Sequence, residues 1–164
     1  MDEEGYLRTG DAVLFADASR PEAGIIFDGR LGENFKLASG TWVSTGMIRV
    51  RLVSSLAPDV SDAVITGHDR AALGALLFVV PPVDAPAKQA LFARIRQKLE
   101  AYVQAHPSSS ERVGRVVLVY EPPSLDAGET TDKGYLNQRK VLERRARLVE
   151  ALYADSPDGE VITV

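Results

Sequence analysis

The side chains that could do chemistry are few and scattered. His68 and His106 are the two histidines, and cysteine is absent. Without cysteine there is no disulfide, no thiolate nucleophile and no cysteine-ligated zinc or iron–sulfur site. Each histidine stands in a predicted turn with no partner at catalytic or ligand spacing, so both read as surface histidines rather than members of a triad or a metal centre. The carboxylates Asp2, Glu3 and Glu4 solvate a polar terminus, where nothing apolar would shift a pKa. Gly128-Glu-Thr-Thr-Asp-Lys-Gly134 places Lys133 between glycines but lacks the Gly-x-x-x-x-Gly-Lys-Ser/Thr order of a phosphate loop. Alone, Lys133 reads as a solvated loop lysine. A movable loop nevertheless suits a cation that must reach a phosphate or carboxylate and then withdraw. The run Arg139, Lys140, Arg144, Arg145, Arg147 reads as one solvated helix face, with contact to anionic phosphates as the second reading.

The frame that would carry these residues is an ordinary globular one. The chain has 164 residues, 45% hydrophobic and 26% charged, enough for one domain with a small appendage. A net charge of −4 offers no general attraction to nucleic acid or to anionic membrane surfaces. No apolar run approaches the roughly 20 residues that span a bilayer, and the acidic N-terminus lacks the basic and apolar regions of a signal peptide. With no disulfides, a cytoplasmic location is expected.

The elements follow from periodicity. Asp11–Ala16 and Gly24–Asp28 are short apolar runs around the polar loop Asp17-Ala-Ser-Arg-Pro-Glu22, and predict a β-hairpin. Two strands alone are marginal in water, so the hairpin needs a packing partner. Gly29 to Gly32 predicts a boundary, because two glycines free the backbone on either side of Arg30 and Leu31. From Thr45 to Leu56 the spacing of Ile48, Leu52 and Leu56 predicts a helix capped by Ser44 or Thr45, with Arg49 and Arg51 on its other side. Strands are predicted at Val60–Thr66 and Ala75–Val80 around the turn Gly67-His-Asp-Arg70. A long helix is predicted from Ala85 to Ala105, with Asp84 as N-cap and Leu91, Ile95, Leu99 and Tyr102 as its buried stripe. Arg115–Tyr120 predicts another strand, Glu121–Tyr135 an exposed loop, and Asn137–Tyr153 a last helix with Val141, Leu142, Leu148, Val149 and Leu152 inward. The fold class expected is α+β, a small sheet with packed helices preceded by a β-hairpin.

Three motifs in order give these pieces a common meaning. Tyr6-Leu-Arg-Thr-Gly-Asp11 resembles the Thr-Gly-Asp motif of the adenylate-forming (AMP-binding) superfamily. Asp28-Gly-Arg30, followed by Glu33 and Lys36, resembles its Asp/Gly-Arg-x-x-Asp/Glu-x-x-Lys signature. Lys133 stands where that superfamily has a catalytic lysine before the final helix. Phe27–Ser44, Gly67–Arg70 and Thr131–Arg139 are similar in particular to the feruloyl-CoA synthase branch. Two departures stand out: Thr131-Asp132-Lys133 replaces the commoner Ser/Thr-Gly-Lys, and the loop after Gly40 has Thr45 and Met47 in place of Pro and Glu.

The resemblance implies an acyl-CoA synthetase, which joins a carboxylic acid to ATP as an acyl-adenylate and then passes the acyl group to the CoA thiol. It implies nucleotide binding by Asp11, which accepts from ribose hydroxyls, and by Arg30. It implies catalysis by Lys133, a hinge at Gly32, and a CoA tunnel lined by Gly40, Thr41 and Trp42, with Lys36 approaching in the second conformation. No metal site is implied; ATP with Mg2+ and CoA are substrates of the complete enzyme, and none is expected to bind this chain alone. Residues 1–31 are then a remnant of a large N-terminal domain and the approach to the hinge, and 32–164 a C-terminal α+β domain. The missing adenylation domain, which would hold the phosphate loop and the acid pocket, is the expected partner, together with a small carboxylic acid such as ferulate. The exposed hairpin is also a route to a homo-oligomer. The competing expectation is a stand-alone, non-catalytic interaction or regulatory module that kept the fold.

Overall fold

A computed structural model describes residues 3–155 and 160–164. Strands β1 (Asp11–Phe15) and β2 (Ile25–Arg30) form the expected antiparallel hairpin. Its loop holds a 3-10 turn at Pro21–Ala23 and is tied by Asp17, whose carboxylate accepts from Ser19 and Arg20. The register sets Asp11 opposite Arg30, and a bulge follows before Val13 meets Phe27. The hairpin is its own two-stranded sheet, with Val13, Leu14, Phe15, Ile25, Ile26 and Phe27 all exposed.

Its far end is nonetheless seated. Gly29 lies against Gly46 so closely that a Cβ on Gly46 would sit 2.9 Å from the Gly29 Cα. Gly29 has φ +88°, a backbone region that favours glycine. Beside this contact the Ser44 hydroxyl donates to the Asp28 carboxylate at 2.6 Å.

Two short strands not anticipated from sequence follow, β3 (Phe35–Lys36) and β4 (Trp42–Val43), paired antiparallel. Helix α1 (Thr45–Leu56) buries Ile48, Leu52 and Leu56 as its spacing required. Ser44 holds the N-cap position but makes no side-chain cap bond; its hydroxyl is engaged with Asp28. The orphan amide of Thr45 is satisfied by Asn34 Oδ1 at 3.1 Å instead.

The main sheet runs β5-β6-β7-β8, with β5 (Val60–Thr66), β6 (Leu73–Val79), β7 (Val113–Val119) and β8 (Val161–Thr163). Only β6 and β7 pair in parallel, which demands a long crossover, and α2 (Ala85–Ala105) supplies it. Asp84 caps α2 as expected, accepting from the Ala87 amide at 2.7 Å. Every residue of β6 is buried because both faces of the sheet are covered. On one face α1 and α2 pack Leu52, Leu56, Ile95 and Leu99 on Ile65, Leu77, Val116 and Leu118. On the other, Val141 and Leu152 close over Val64, Leu76, Phe78 and Val117. The class is α+β, with four α-helices among the described residues.

The last helix departs from expectation. It is two pieces, α3 (Gln138–Arg144) and α4 (Ala146–Leu152), joined at Arg145 with φ −102° and ψ 27°. Arg145 is buried and reaches away from the helix line, so it does not belong to a solvated basic face.

Candidate functional site

Lys133 stands at the tip of a short β-turn. Thr130 and Leu136 form a bridge, the Thr131 amide donates to Tyr135 O at 2.9 Å, and the Gly134 amide donates to Thr131 O at 2.9 Å. Gly134 has φ +77°, which the turn needs and glycine permits. The Lys133 side chain is exposed and has no hydrogen-bond or ion-pair partner among the described residues. The amine is therefore presented rather than stored.

The base of this turn rests on a pair that the sequence reading missed. Glu129 is fully buried, and its carboxylate accepts from Arg145 Nε at 2.8 Å, from Arg145 Nη2 at 2.9 Å and from the Ser124 amide at 2.8 Å. The Arg145 guanidinium holds the Glu129 carboxyl down at about 2, against desolvation that pushes it up. The same guanidinium donates to the carbonyls of Glu121 and Pro122 and lies over the Phe78 ring at 5.1 Å. Arg144, the preceding residue, is half-exposed, and its Nε lies 3.5 Å from Glu129 Oε1. Arg139 and Lys140 pair with Glu143 on the surface, as expected of a solvated face. A signal for Arg145 does exist: it falls four residues after Val141 and seven before Leu152, on the apolar stripe.

Gln138 opens α3 and is also buried. Its Oε1 accepts from the Ile65 amide of β5 at 3.2 Å, and its Nε2 donates to the Glu33 carbonyl at 3.5 Å. The segment after Lys133 is thereby joined to the residue next to Gly32. Burial pushes the Glu33 carboxyl up, offset by the charges of Arg49 and Arg30.

Asp11 and Arg30 meet as cross-strand neighbours. Arg30 Nε lies 3.0 Å from Asp11 Oδ1, and Arg30 also donates to Thr9 O at 3.2 Å. Asp11 Oδ1 is covered, and despite the short separation no donor is aimed at it; the contact is a charge pair rather than a hydrogen bond. Gly32 follows in an exposed turn where a Cβ would meet nothing within 4 Å.

Gly40 and Thr41 form the tight loop between β3 and β4, where the Gly40 amide donates to Leu37 O at 2.8 Å and Gly40 has φ +82°. Lys36 and Trp42 are paired across the ladder, and Trp42 is half-exposed. This loop is braced on the β5–β6 turn, since the Ala38 amide donates to Arg70 O and the Asp69 amide to Lys36 O. The structure thus brings together Asp11 with Arg30, and Lys36 with Trp42. Among the described residues no hydrogen bond or ion pair joins Lys133 to either group. No group of three or more His, Cys, Asp or Glu side chains among the described residues could hold a metal ion. Two surface concavities, of about 310 and 400 Å³, are lined by other residues, Arg112, Gly114 and Arg115 in one and Lys88, Phe92 and Arg96 in the other. No helix among the described residues is long and apolar enough to cross a membrane.

Residues 34–157 match the family model described as the AMP-binding enzyme C-terminal domain, which is most of the chain. The chain belongs to this family. Solved structures agree with the assignment of this AMP-binding C-terminal domain. The adenylation domain of a carboxylate reductase from Mycobacterium chelonae is 26% identical with a TM-score of 0.73, over 94% of this chain and 24% of that one. The A-PCP didomain of a carboxylic acid reductase from Segniliparus rugosus, in complex with AMP, is 26% identical with a TM-score of 0.70, over 93% of this chain and 21% of that one. The anthranilate CoA ligase AuaEII, in complex with anthranoyl-AMP, shares the fold at 24% identity and a TM-score of 0.58, over 88% of this chain and 25% of that one. The AMP-binding C-terminal domain seen here therefore spans about a fifth to a quarter of the length of the solved structures it matches. No curated protein matches it.

Proposed function

We propose that this AMP-binding C-terminal domain serves an ATP-dependent acid–CoA ligase acting on an aromatic, hydroxycinnamic-type acid such as ferulate. The observation that supports the reading is the presentation of Lys133: exposed, unpaired among the described residues, and carried on a turn whose base is buried. An ammonium so placed can approach the attacking carboxylate and the α-phosphate, where negative charge gathers as pyrophosphate leaves. Asp11 and Arg30 suit the nucleotide: a carboxylate can accept from ribose hydroxyls, and the guanidinium beside it can fork to oxygen acceptors. In this reading Gly32 is the hinge, residues 1–31 belong with a large N-terminal adenylation domain that holds the acid, and 32–164 swing. Gly40, Thr41 and Trp42, with Lys36, then line the path of the CoA thiol. In this reading Mg2+ enters with the triphosphate, as part of the nucleotide substrate.

The test assays two half-reactions separately in the enzyme that carries this chain. Lys133→Ala should slow acyl-adenylate formation by about 10²–10³, and leave CoA capture of supplied acyl-adenylate nearly unchanged. Equal slowing of both halves would show the lysine supporting the fold instead. Acyl-adenylate formation with no CoA-dependent thioester would overturn the CoA-ligase assignment. The 164-residue chain alone should show no ATP-to-AMP turnover with any aromatic acid.

A further inference from the structure

We infer that Glu129, clamped by Arg145, is a positioning residue that fixes the turn bearing Lys133. The inference rests on the proposed role of Lys133. Three segments converge on these two residues. The end of β7 arrives through the Glu121 and Pro122 carbonyls, both held by Arg145. The turn arrives through Glu129 itself, and the start of α3 arrives through the Asn137 amide, which donates to Glu129 O at 2.8 Å. Glu129 is followed at once by the Thr130–Leu136 bridge, and Lys133 is the middle of the intervening turn.

Stability alone does not account for such a pair. A buried ion pair loses so much hydration that apolar residues of similar volume often serve a fold as well or better. Its distinctive property is geometric: the two parallel bonds of a guanidinium fork admit one orientation of the carboxylate. That is worth having beneath a catalytic amine, because displacing a reacting group by about 1 Å can cost on the order of 100-fold in rate. The turn is closed by its own backbone bonds and exposed at its tip, so its base sets where the amine goes.

The test is a double-mutant cycle in the enzyme that carries this chain. Glu129→Gln should slow acyl-adenylate formation by about 10- to 100-fold, with CoA capture unchanged, and should have no further effect in a Lys133→Ala background. Additive effects, or equal slowing of both halves, would show a general structural role and overturn the inference. Arg145→Lys, which keeps the charge but loses the fork, is read in the same cycle should Glu129→Gln fail to fold. Amide hydrogen exchange in the 164-residue chain supplies a readout independent of chemistry. Exchange at Thr131 and Tyr135 should quicken in Glu129→Gln while Leu76 keeps its protection. Unchanged exchange at Thr131 and Tyr135 would remove the clamp and leave the reading of Lys133 standing. A Lys133→Ala enzyme that adenylates at the wild-type rate would remove that reading, and this inference with it.

Discussion

Gln138 and Ile65 are 73 residues apart in sequence and joined by one buried hydrogen bond. Ile65 lies on β5, the edge of the main sheet, and Gln138 Oε1 gives this edge amide an acceptor. Replacement by leucine fills nearly the same volume but leaves the amide with no acceptor. Gln138→Leu should therefore destabilise the fold by about 1–3 kcal/mol, read as a lower urea midpoint at unchanged slope. An unchanged midpoint in Gln138→Leu would mean that packing rather than the hydrogen bond matters.

Stability should fall in acid through Glu129. Its carboxyl titrates near 2 in the folded chain and near 4.5 when free. A depressed folded value means that the unfolded chain binds the proton first, so the contribution is complete above about pH 4.5 and is lost as pH falls towards about 2. The loss is on the order of 3 kcal/mol. Unfolding midpoints measured between these limits should drop for the parent and change less for Glu129→Gln, since glutamine has no proton to gain.

Gly46 and Gly32 should respond to alanine in opposite ways. At Gly46 the new methyl meets the Gly29 backbone at 2.9 Å, and backbone cannot rotate aside as a side chain can. A helix gains up to about 1 kcal/mol from alanine over glycine, less in the first turn, against about 1–3 kcal/mol for overpacking. Gly46→Ala should be net destabilising and should expose the hairpin to protease. At Gly32 the space is open, and alanine should leave thermal stability unchanged or raise it by about 0.4–1 kcal/mol through the unfolded chain.

Proline at position 32 separates stability from turnover. If the proposed hinge lies there, Gly32→Pro fixes φ and removes the rotation. Acyl-adenylate formation should survive and thioester formation should fail, the reverse of Lys133→Ala. Normal rates in both halves would place the pivot elsewhere.

What the sequence made legible was what period and composition encode locally. Strand β6 is an unbroken apolar run, and α2 carries a four-residue apolar stripe with an aspartate at its head, so both were readable within a residue or two. Strands β3 and β4 have two residues each and β8 has three, too short for any alternation to register. Arg145 was lost in a basic run because chain neighbours look alike until a partner is known, and Glu129 lies sixteen residues away. The positions of Lys133, Asp11 and Arg30 came from family resemblance, and no rule of local propensity would have singled them out. The cap of α1 failed for the same reason as Arg145: Asn34 reaches it from eleven residues upstream, outside any capping pattern.

The seat between Gly29 and Gly46 bears on how a rotating domain would come to rest. Gly29 precedes Gly32 and Gly46 follows it, as Asp28 precedes and Ser44 follows. A turn about Gly32 has to part both contacts at once. They involve two α-carbons and one short bond, so a small rotation forfeits them completely. Such a feature behaves as a detent on a shaft: it holds one angle firmly, gives no guidance at any other, and makes departure an abrupt event rather than a drift.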